Sequence, residues 1–301
     1  MRSCAAAARG ATRRPMPPAD VGLRAALPPA HALALGLLQG PAELLPISSS
    51  AHTTLLPWLA GWPYARLDGE QRKSFEVALH AGAGAALALH MRRELLNDAA
   101  QLDRQRAAVV ALSLAPAALA GYALGPVIER RGGGPRSIAA GLAAGALALV
   151  LADSSVPADT DTGAREQADA RAGDGLALGI AQAFALIPGI SRSGATLTAA
   201  RARRFGRGAA QTLSWHAGLP VLLGASALKG TRLYRDGLTR EQGTSLVLGG
   251  GAAFLSTLTS ARLLHRRLRD GQALWPYALY RCLLAALVVS RLRSQDTTNP
   301  D

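Results

Sequence analysis

The sequence is poor in several residue types, and each shortage excludes a class of protein. Among 301 residues there are two cysteines, Cys4 and Cys282, which provide neither metal-ligand spacing nor a disulfide framework. Aromatic residues make up 4% of the chain, and the only lysines are Lys73 and Lys229. Arginine therefore carries almost all of the positive charge.

Hydrophobic residues make up 49% of the chain, mostly alanine, leucine and valine, and together with glycine they are gathered into runs. Such runs indicate an integral membrane protein rather than a soluble core. The net charge is +13, which in a soluble protein would suggest nucleic acid as a partner. Here the arginines lie in short segments between apolar runs. Anionic lipid headgroups are therefore the expected neighbours, and no nucleic-acid partner is predicted.

One motif occurs twice, 143 positions apart and without a gap. Residues 33–53 read LALGLLQGPAELLPISSSAHT, and residues 176–196 read LALGIAQAFALIPGISRSGAT. In each copy an apolar run with one glutamine breaks at a proline, and hydroxyl residues follow. The first copy adds Glu43 and His52, whereas the second adds Arg192. The function is therefore expected where the two breaks meet.

The apolar limbs of each motif copy are too short to cross a membrane, because about 30 Å of hydrocarbon needs roughly 20 helical residues. Two short limbs joined at a polar break predict a re-entrant hairpin; one kinked helix over residues 31–60 is the alternative. Elsewhere six segments have the length of a span: 74–91, 107–128, 137–152, 211–229, 244–264 and 274–291.

Three of these spans lie between the motif copies, so the second hairpin should enter from the opposite membrane face. The predicted fold is an all-α integral membrane protein with six transmembrane helices and two re-entrant helical hairpins in an inverted-topology repeat. The distribution of arginine does not decide the orientation. The predicted segments are a disordered tail (1–29), a first membrane repeat (30–152), a flexible acidic loop (153–175), a second membrane repeat (176–291) and a C-terminal tail (292–301).

Glu43 is an acid inside an apolar segment, where an isolated charge costs about 2.5–3.5 kcal/mol on insertion scales. Such a residue is usually kept for a function. Gln39 lies four residues earlier and would share its helical face. Carboxylate and amide oxygens suit a hard divalent cation, so the pair is a candidate metal site. A glutamate held only by neighbouring hydroxyl groups is the alternative.

The serines at 48–50 follow the break of the first copy. If Ser49 starts the second limb, the free amides of a helix N-terminus make an anion site there. Simple N-capping by serine is the alternative. His52 lies three residues beyond Ser49, in position to accept its proton.

Arg192 occupies the position of Ser49 in the second copy, between Ser191 and Ser193 and close to Thr196. A guanidinium matches phosphate geometry with paired hydrogen bonds. An interfacial arginine that reaches lipid headgroups is the alternative.

With these residues in view, the sequence resembles the undecaprenyl-diphosphate phosphatases of the bacterial cell envelope. The matching stretches are LLQGPAELLPISSSAH (37–52), FEVALHAG (75–82), ALIPGISRSGATLT (185–198) and WPYALYR (275–281). The resemblance implies hydrolysis of a C55 polyprenyl diphosphate to its monophosphate, which recycles the lipid carrier of peptidoglycan synthesis. It also implies a divalent cation (Mg²⁺ or Ca²⁺), a multi-pass location in the bacterial plasma (inner) membrane, and a link to bacitracin resistance.

The resemblance also assigns roles to residues of this sequence. It makes Gln39 and Glu43 the metal-binding pair and Ser49 and His52 the catalytic serine and histidine. Arg192 becomes the phosphate-binding arginine, accompanied by hydroxyl groups, and Ser48 and Ser50 offer the anion-binding amides. The accompanying hydroxyl groups are those of Ser191, Ser193 and Thr196.

This sequence departs from the family pattern at a few positions. Gln39 replaces a frequent glutamate, Pro41 falls between the two metal candidates, and His80 replaces a frequent glutamine. A polyprenyl-phosphate flippase or secondary transporter stays the alternative function, since inverted repeats with broken helices are typical of carriers. The expected partners are the lipid substrate and membrane lipids, and a homodimer is an open alternative.

Overall fold

A computed structural model describes residues 27–67, 69–131, 133–156, 163–236, 238–269 and 271–298. Within these ranges the chain forms eleven α-helices and no β-strand, so the predicted all-α class is confirmed. Most of the predicted N-terminal tail, residues 1–29, lies outside the described residues, as does the end of the predicted C-terminal tail.

The helices are numbered in chain order. They are α1 (Pro29–Leu44), α2 (Ser49–Leu59), α3 (Gly69–His90), α4 (Arg92–Ala100), α5 (Arg104–Arg131), α6 (Pro135–Ser154), α7 (Ala172–Phe184), α8 (Arg192–Ala202), α9 (Arg207–Asp236), α10 (Arg240–Arg269) and α11 (Trp275–Thr298).

The two motif copies fold in register. The offset of 143 positions carries the first residue of α1 onto that of α7, and Ser49 at the start of α2 onto Arg192 at the start of α8. Each copy therefore forms two short helices instead of one kinked helix. Residues 43–49, which end α1 and begin α2, are called the first break, and residues 185–193, which join α7 to α8, are called the second break below.

Within the described ranges, three helices are long and apolar enough to cross a membrane, judged by length and composition. They cover Arg104–Gly125, Pro135–Ser154 and Arg240–Leu264, and they coincide with three of the six predicted spans. The other three predicted spans fall within α3, α9 and α11, which are uninterrupted helices of 22, 30 and 24 residues.

In each motif copy, the first helix packs along a helix from the other half of the chain. Helix α1 packs along α10, and α7 packs along α5. Glycine makes both contacts close: a Cβ atom at Gly36 would overlap the Gly249 carbonyl oxygen of α10, and one at Gly179 would overlap the Leu112 carbonyl oxygen of α5. Small residues at helix crossings let backbones approach in this way. Each helix that leads into a break is therefore held by a helix from the other half of the chain.

Pro41 lies inside α1 without ending the helix. A proline in a helix leaves the carbonyl four residues earlier without its backbone donor, which here is the carbonyl of Leu37. Ser256 of α10 donates its hydroxyl to that oxygen at 2.5 Å. The neighbouring helix therefore satisfies the freed group, and α1 continues to Glu43 on the turn above.

The segment predicted as a flexible acidic loop, residues 153–175, is packed at both of its described ends. Asp153 forms ion pairs with Arg201 (2.9 Å) and Arg207 (2.8 Å). Asp174 is 1% exposed and pairs with Arg165 (2.6 Å) and Arg203 (2.6 Å). Asp153 and Asp174 are thus buried partners of arginines, whereas Glu166 and Asp169 are exposed. Residues 157–162 lie outside the described ranges.

Replacing Gly36 by Ala should destabilise the fold, because the new methyl group meets the α10 backbone and not a flexible side chain. Overpacking of this kind lowers the free energy of unfolding by about 1–3 kcal/mol. Gly251→Ala on α10 is the matched control, since nothing lies within 4 Å of the methyl group that it adds. Thermal unfolding in detergent should separate the two variants, and equal melting temperatures would contradict the close α1–α10 contact.

Asp174 should make stability depend on acid pH. Burial raises the pKa of its carboxyl, but hydrogen bonds from Arg165, the Arg171 amide and Arg203 outweigh burial and hold the pKa below its ordinary value. A depressed folded-state pKa stabilises the fold fully above the unfolded-state pKa, and this stabilisation is lost as the pH falls below it.

The Asp174→Asn variant should therefore melt at a lower temperature than wild type at pH 7. The difference in melting temperature should become smaller as the pH falls below about 4, where the carboxyl of the unfolded chain becomes protonated. Asp103→Asn, at an exposed carboxylate that accepts a hydrogen bond from the Arg106 amide, is the control. A difference in melting temperature that stays constant from pH 7 to pH 3 would exclude this role for Asp174.

Candidate active site

Glu43 is the centre of the candidate site. It lies in the last turn of α1, is 5% exposed, and accepts hydrogen bonds from Ser49 Oγ (2.8 Å) and Gln39 Nε2 (3.1 Å). Its other carboxylate oxygen forms an ion pair with Arg192 Nη2. The acid of the first copy and the cation of the second copy are therefore in direct contact, and the Ser49 hydroxyl shares the same carboxylate.

A second contact joins the two breaks through a backbone group. Ser193 donates its hydroxyl to the carbonyl oxygen of Leu45 at 3.2 Å. Ser191 accepts a hydrogen bond from the Gly194 amide at 3.1 Å and so caps α8. Thr196 is buried and contacts Ser214 of α9 (2.6 Å), so its hydroxyl supports helix packing.

The first break has an unusual backbone at Ser48, whose φ is 75°. This left-handed conformation is uncommon for residues other than glycine. It turns the chain so that α2 begins at Ser49, as the sequence predicted. The Ser48 side chain makes no capping hydrogen bond, and Ser50 is exposed. The first amides of α2 are thus donors at the positive end of the helix dipole, which favours anions.

His52 is buried, but its ring is not paired with Ser49. Its Nδ1 lies 2.7 Å from the Ser48 carbonyl oxygen, and its Nε2 lies 2.6 Å from the Tyr280 hydroxyl. Among the described residues, no hydrogen bond connects His52 to Ser49. The spacing that suggested a serine–histidine pair therefore reflects a contact with the preceding turn.

The structure adds residues that the motif copies alone do not reveal. His80 Nδ1 lies 2.9 Å from Gln39 Nε2 and 3.5 Å from a Glu43 oxygen. Gly218 of α9 lies directly under Arg192, because a Cβ atom there would overlap Arg192 Nη1. Both belong to a His-Ala-Gly triplet that occurs at 80–82 and again at 216–218. The repetition of this triplet could have marked both positions as parts of the site, but the sequence does not show which residues the triplets contact.

The donor set at Glu43 suits a divalent cation that is shared with a phosphate. Among the described residues, no group of three or more His, Cys, Asp or Glu side chains could enclose a metal. Gln39 Oε1 is buried and has no hydrogen-bond partner there, so it is available beside the carboxylate. Magnesium commonly uses one or two carboxylates together with substrate phosphates and water. Gln39 and Glu43 fit that pattern.

The fold and the site together indicate a membrane protein with a site built from a duplicated motif. Over the residues that the structure describes, the chain is helical without strands and carries helices apolar enough to cross a membrane. Its duplicated broken-helix motif places an acid, a hydroxyl and a guanidinium together. The chain belongs to the family described as bacitracin resistance protein BacA, whose family model matches residues 32–287.

Curated relatives cover most of the chain. The undecaprenyl-diphosphatase of Geobacter sulfurreducens is 38% identical over 275 residues, which are 87% of this chain and 97% of the relative. The undecaprenyl-diphosphatase of Thermomicrobium roseum is 37% identical over 284 residues, covering 87% of this chain and 99% of the relative. The undecaprenyl-diphosphatase of Geobacter metallireducens is 36% identical over 273 residues, which are 87% of this chain and 97% of the relative.

Gly218→Ala should displace the Arg192 guanidinium and weaken anion binding. We expect inorganic diphosphate to bind at least about tenfold more weakly, a loss of about 1.4 kcal/mol. Gly224→Ala on the same helix is the control, because nothing lies within 4 Å of its added methyl group. Titration calorimetry on the detergent-solubilised protein measures both, with melting temperatures to confirm folding. Unchanged affinity in Gly218→Ala would contradict the position of the Arg192 guanidinium against Gly218.

Proposed function

We infer that the chain hydrolyses undecaprenyl diphosphate to undecaprenyl phosphate and inorganic phosphate, which recycles the lipid carrier for peptidoglycan synthesis. The observation that carries this inference is one carboxylate, Glu43, that contacts both the Ser49 hydroxyl and the Arg192 guanidinium. A nucleophile, a proton acceptor and a phosphate-binding cation thus lie within one small site. The family relatives named above support the same substrate.

The distal phosphate would bind between the two breaks. Arg192 offers a guanidinium, which is always charged and suits phosphate oxygens. The first amides of α2, from Ser49 onward, offer backbone donors. Arg192 Nη1 has no hydrogen-bond acceptor among the described residues, so part of its donor capacity is unused. Phosphoryl transfer depends mainly on positioning and charge stabilisation, which this arrangement supplies.

Ser49 would act as the nucleophile. Glu43 accepts the hydroxyl proton at its Oε2, the Ser49 Oγ–phosphorus bond forms, and the bond from phosphorus to the bridging oxygen breaks. Undecaprenyl phosphate leaves with the electron pair of that bond. Water then attacks the phosphoserine and the Oγ–phosphorus bond breaks. Glu43 returns its proton to the Ser49 Oγ, and the hydrogens of the water leave with the inorganic phosphate. Direct attack by a water molecule that His52 activates is the alternative route.

Glu43 and Gln39 would hold the divalent cation, Mg²⁺ or Ca²⁺. The ion would supply charge neutralisation for the phosphate oxygens. The residues of the chain keep their own tasks beside it: Arg192 orients the phosphate, and Ser193 holds the two breaks together through the Leu45 carbonyl.

We place this site inside the bacterial plasma membrane, in a chain that crosses it six times with two re-entrant hairpins of opposite entry. Helix α1 has 16 residues and α2 has 11, so each is shorter than the roughly 20 residues of a span. The prenyl chain would lie against lipid-facing helices such as α5, where Leu119 and Leu124 are exposed.

The purified protein in detergent should release inorganic phosphate from undecaprenyl diphosphate, and EDTA should stop the release until Mg²⁺ or Ca²⁺ is restored. Ser49→Ala, Glu43→Gln and Arg192→Ala should each lower the rate by at least about 10³-fold, as loss of a reacting or charge-stabilising group does. Ser290→Ala, whose exposed hydroxyl bonds only to the Leu287 carbonyl among the described residues, is the control.

Full activity in all three variants would refute the site, and a Ser49→Ala enzyme with normal turnover would favour the water mechanism. A wild-type protein that carries polyprenyl phosphate across vesicles but releases no phosphate would instead support the transporter alternative.

A further inference from the structure

We propose that Tyr280 is a positioning residue for the hydrolysis, and that it acts on the nucleophile through His52. The proposal rests on the proposed function. It assigns a role to the stretch WPYALYR at 275–281, which lies at the start of α11, far along the chain from both motif copies.

The hydrogen bonds of His52 determine which of its nitrogens carries the proton. A carbonyl oxygen can only accept, so Nδ1, at 2.7 Å from the Ser48 carbonyl, is the donor. In the neutral ring Nε2 is then an acceptor, and the Tyr280 hydroxyl at 2.6 Å donates to it. The two rings are also stacked, with centroids 5.6 Å apart and an angle of 5° between planes. The Ser48 carbonyl thus fixes the tautomer of His52, and Tyr280 fixes the orientation of its ring.

His52 in turn holds the backbone of the first break. Its Nδ1–H group binds the carbonyl of Ser48, the residue in the left-handed conformation. Such a conformation is strained and persists only where neighbours hold it. The next residue, Ser49, begins α2 and donates its hydroxyl to Glu43 at 2.8 Å. The chain of contacts therefore runs from Tyr280 through His52 and Ser48 to the hydroxyl of Ser49.

The neighbouring residue on α11 contacts the second break. Arg281 is fully buried, and its Nη2 lies 3.5 Å from the carbonyl oxygens of Gly189 and Gly141. A Cβ atom at Gly194, in the first turn of α8, would come within 2.8 Å of Arg281 Nη1. Tyr280 and Arg281, which are consecutive residues of α11, thus contact the groups that position Ser49 and Arg192. Helix α11 sets the first break relative to the second.

The test compares Tyr280→Phe with Tyr277→Phe in the full-length protein, with phosphate release from undecaprenyl diphosphate as the assay. Phenylalanine keeps the stacking on His52 but removes the donor. The Tyr277 hydroxyl bonds to Gln272 (3.2 Å) on the exposed surface, so its loss serves as the control. In Tyr280→Phe we expect kcat to fall about tenfold, as for one lost hydrogen bond, with KM within about twofold of wild type.

A double-mutant cycle with His52→Asn tests whether the effect passes through His52. The asparagine amide retains a donor for the Ser48 carbonyl but cannot reach Tyr280, so Tyr280→Phe should lower kcat by less than about twofold in that background. A full tenfold loss there, or wild-type kcat in the single Tyr280→Phe variant, would overturn the proposal. So would a lower melting temperature in Tyr280→Phe together with wild-type kcat per folded molecule. Failure of wild type to release phosphate would refute the proposed function instead.

Discussion

The ion pair between Glu43 and Arg192 is the interaction on which the site depends. The side chain of Glu43 is 4% exposed and that of Arg192 is 19% exposed, so each charge is largely removed from water and relies on the other. Removing one partner of such a pair leaves an uncompensated buried charge, which typically costs several kcal/mol. The two side chains come from different motif copies, so their contact requires both breaks to meet. The close α1–α10 packing at Gly36, the Ser256 hydroxyl on the Leu37 carbonyl and the Ser193 hydroxyl on the Leu45 carbonyl all keep the breaks in place.

The sequence was sufficient to predict the helical class and the register of the repeat. Proline and serine mark where each apolar run stops, so Ser49 and Arg192 could be recognised as equivalent helix starts from the residues alone. The partners of Asp153 and Asp174 could not be predicted in the same way. These two acids are paired with arginines 48 and 29 positions further along. Such long-range pairing depends on how α6, α7 and α8 pack, and it leaves no local pattern in the sequence.

At the site, sequence reasoning identified which groups should meet, but it did not identify all of their hydrogen-bond partners. The three-residue spacing of Ser49 and His52 suggested a pair, whereas the histidine binds the carbonyl four residues earlier and a tyrosine 228 positions away. The duplicated glutamines also diverge: Gln39 binds Glu43 (3.1 Å), while Gln182 binds the backbone carbonyl of Ser113 (2.8 Å). In the second copy this amide therefore serves packing, and in the first copy it serves the acid. Equivalent positions in a repeat share a fold more reliably than they share a chemical role.

The central claim is that the two breaks meet, and cysteine cross-linking tests it without relying on activity. Cysteines placed at Leu45 and Ser193, in a chain whose Cys4 and Cys282 have been replaced by serine, should be joined within one molecule by disulfide formation or a short bismaleimide. Mass spectrometry of the digested protein should then show peptides from both breaks linked together in most molecules. Intact, folded protein that carries both cysteines and yields no such linked peptide would contradict the account.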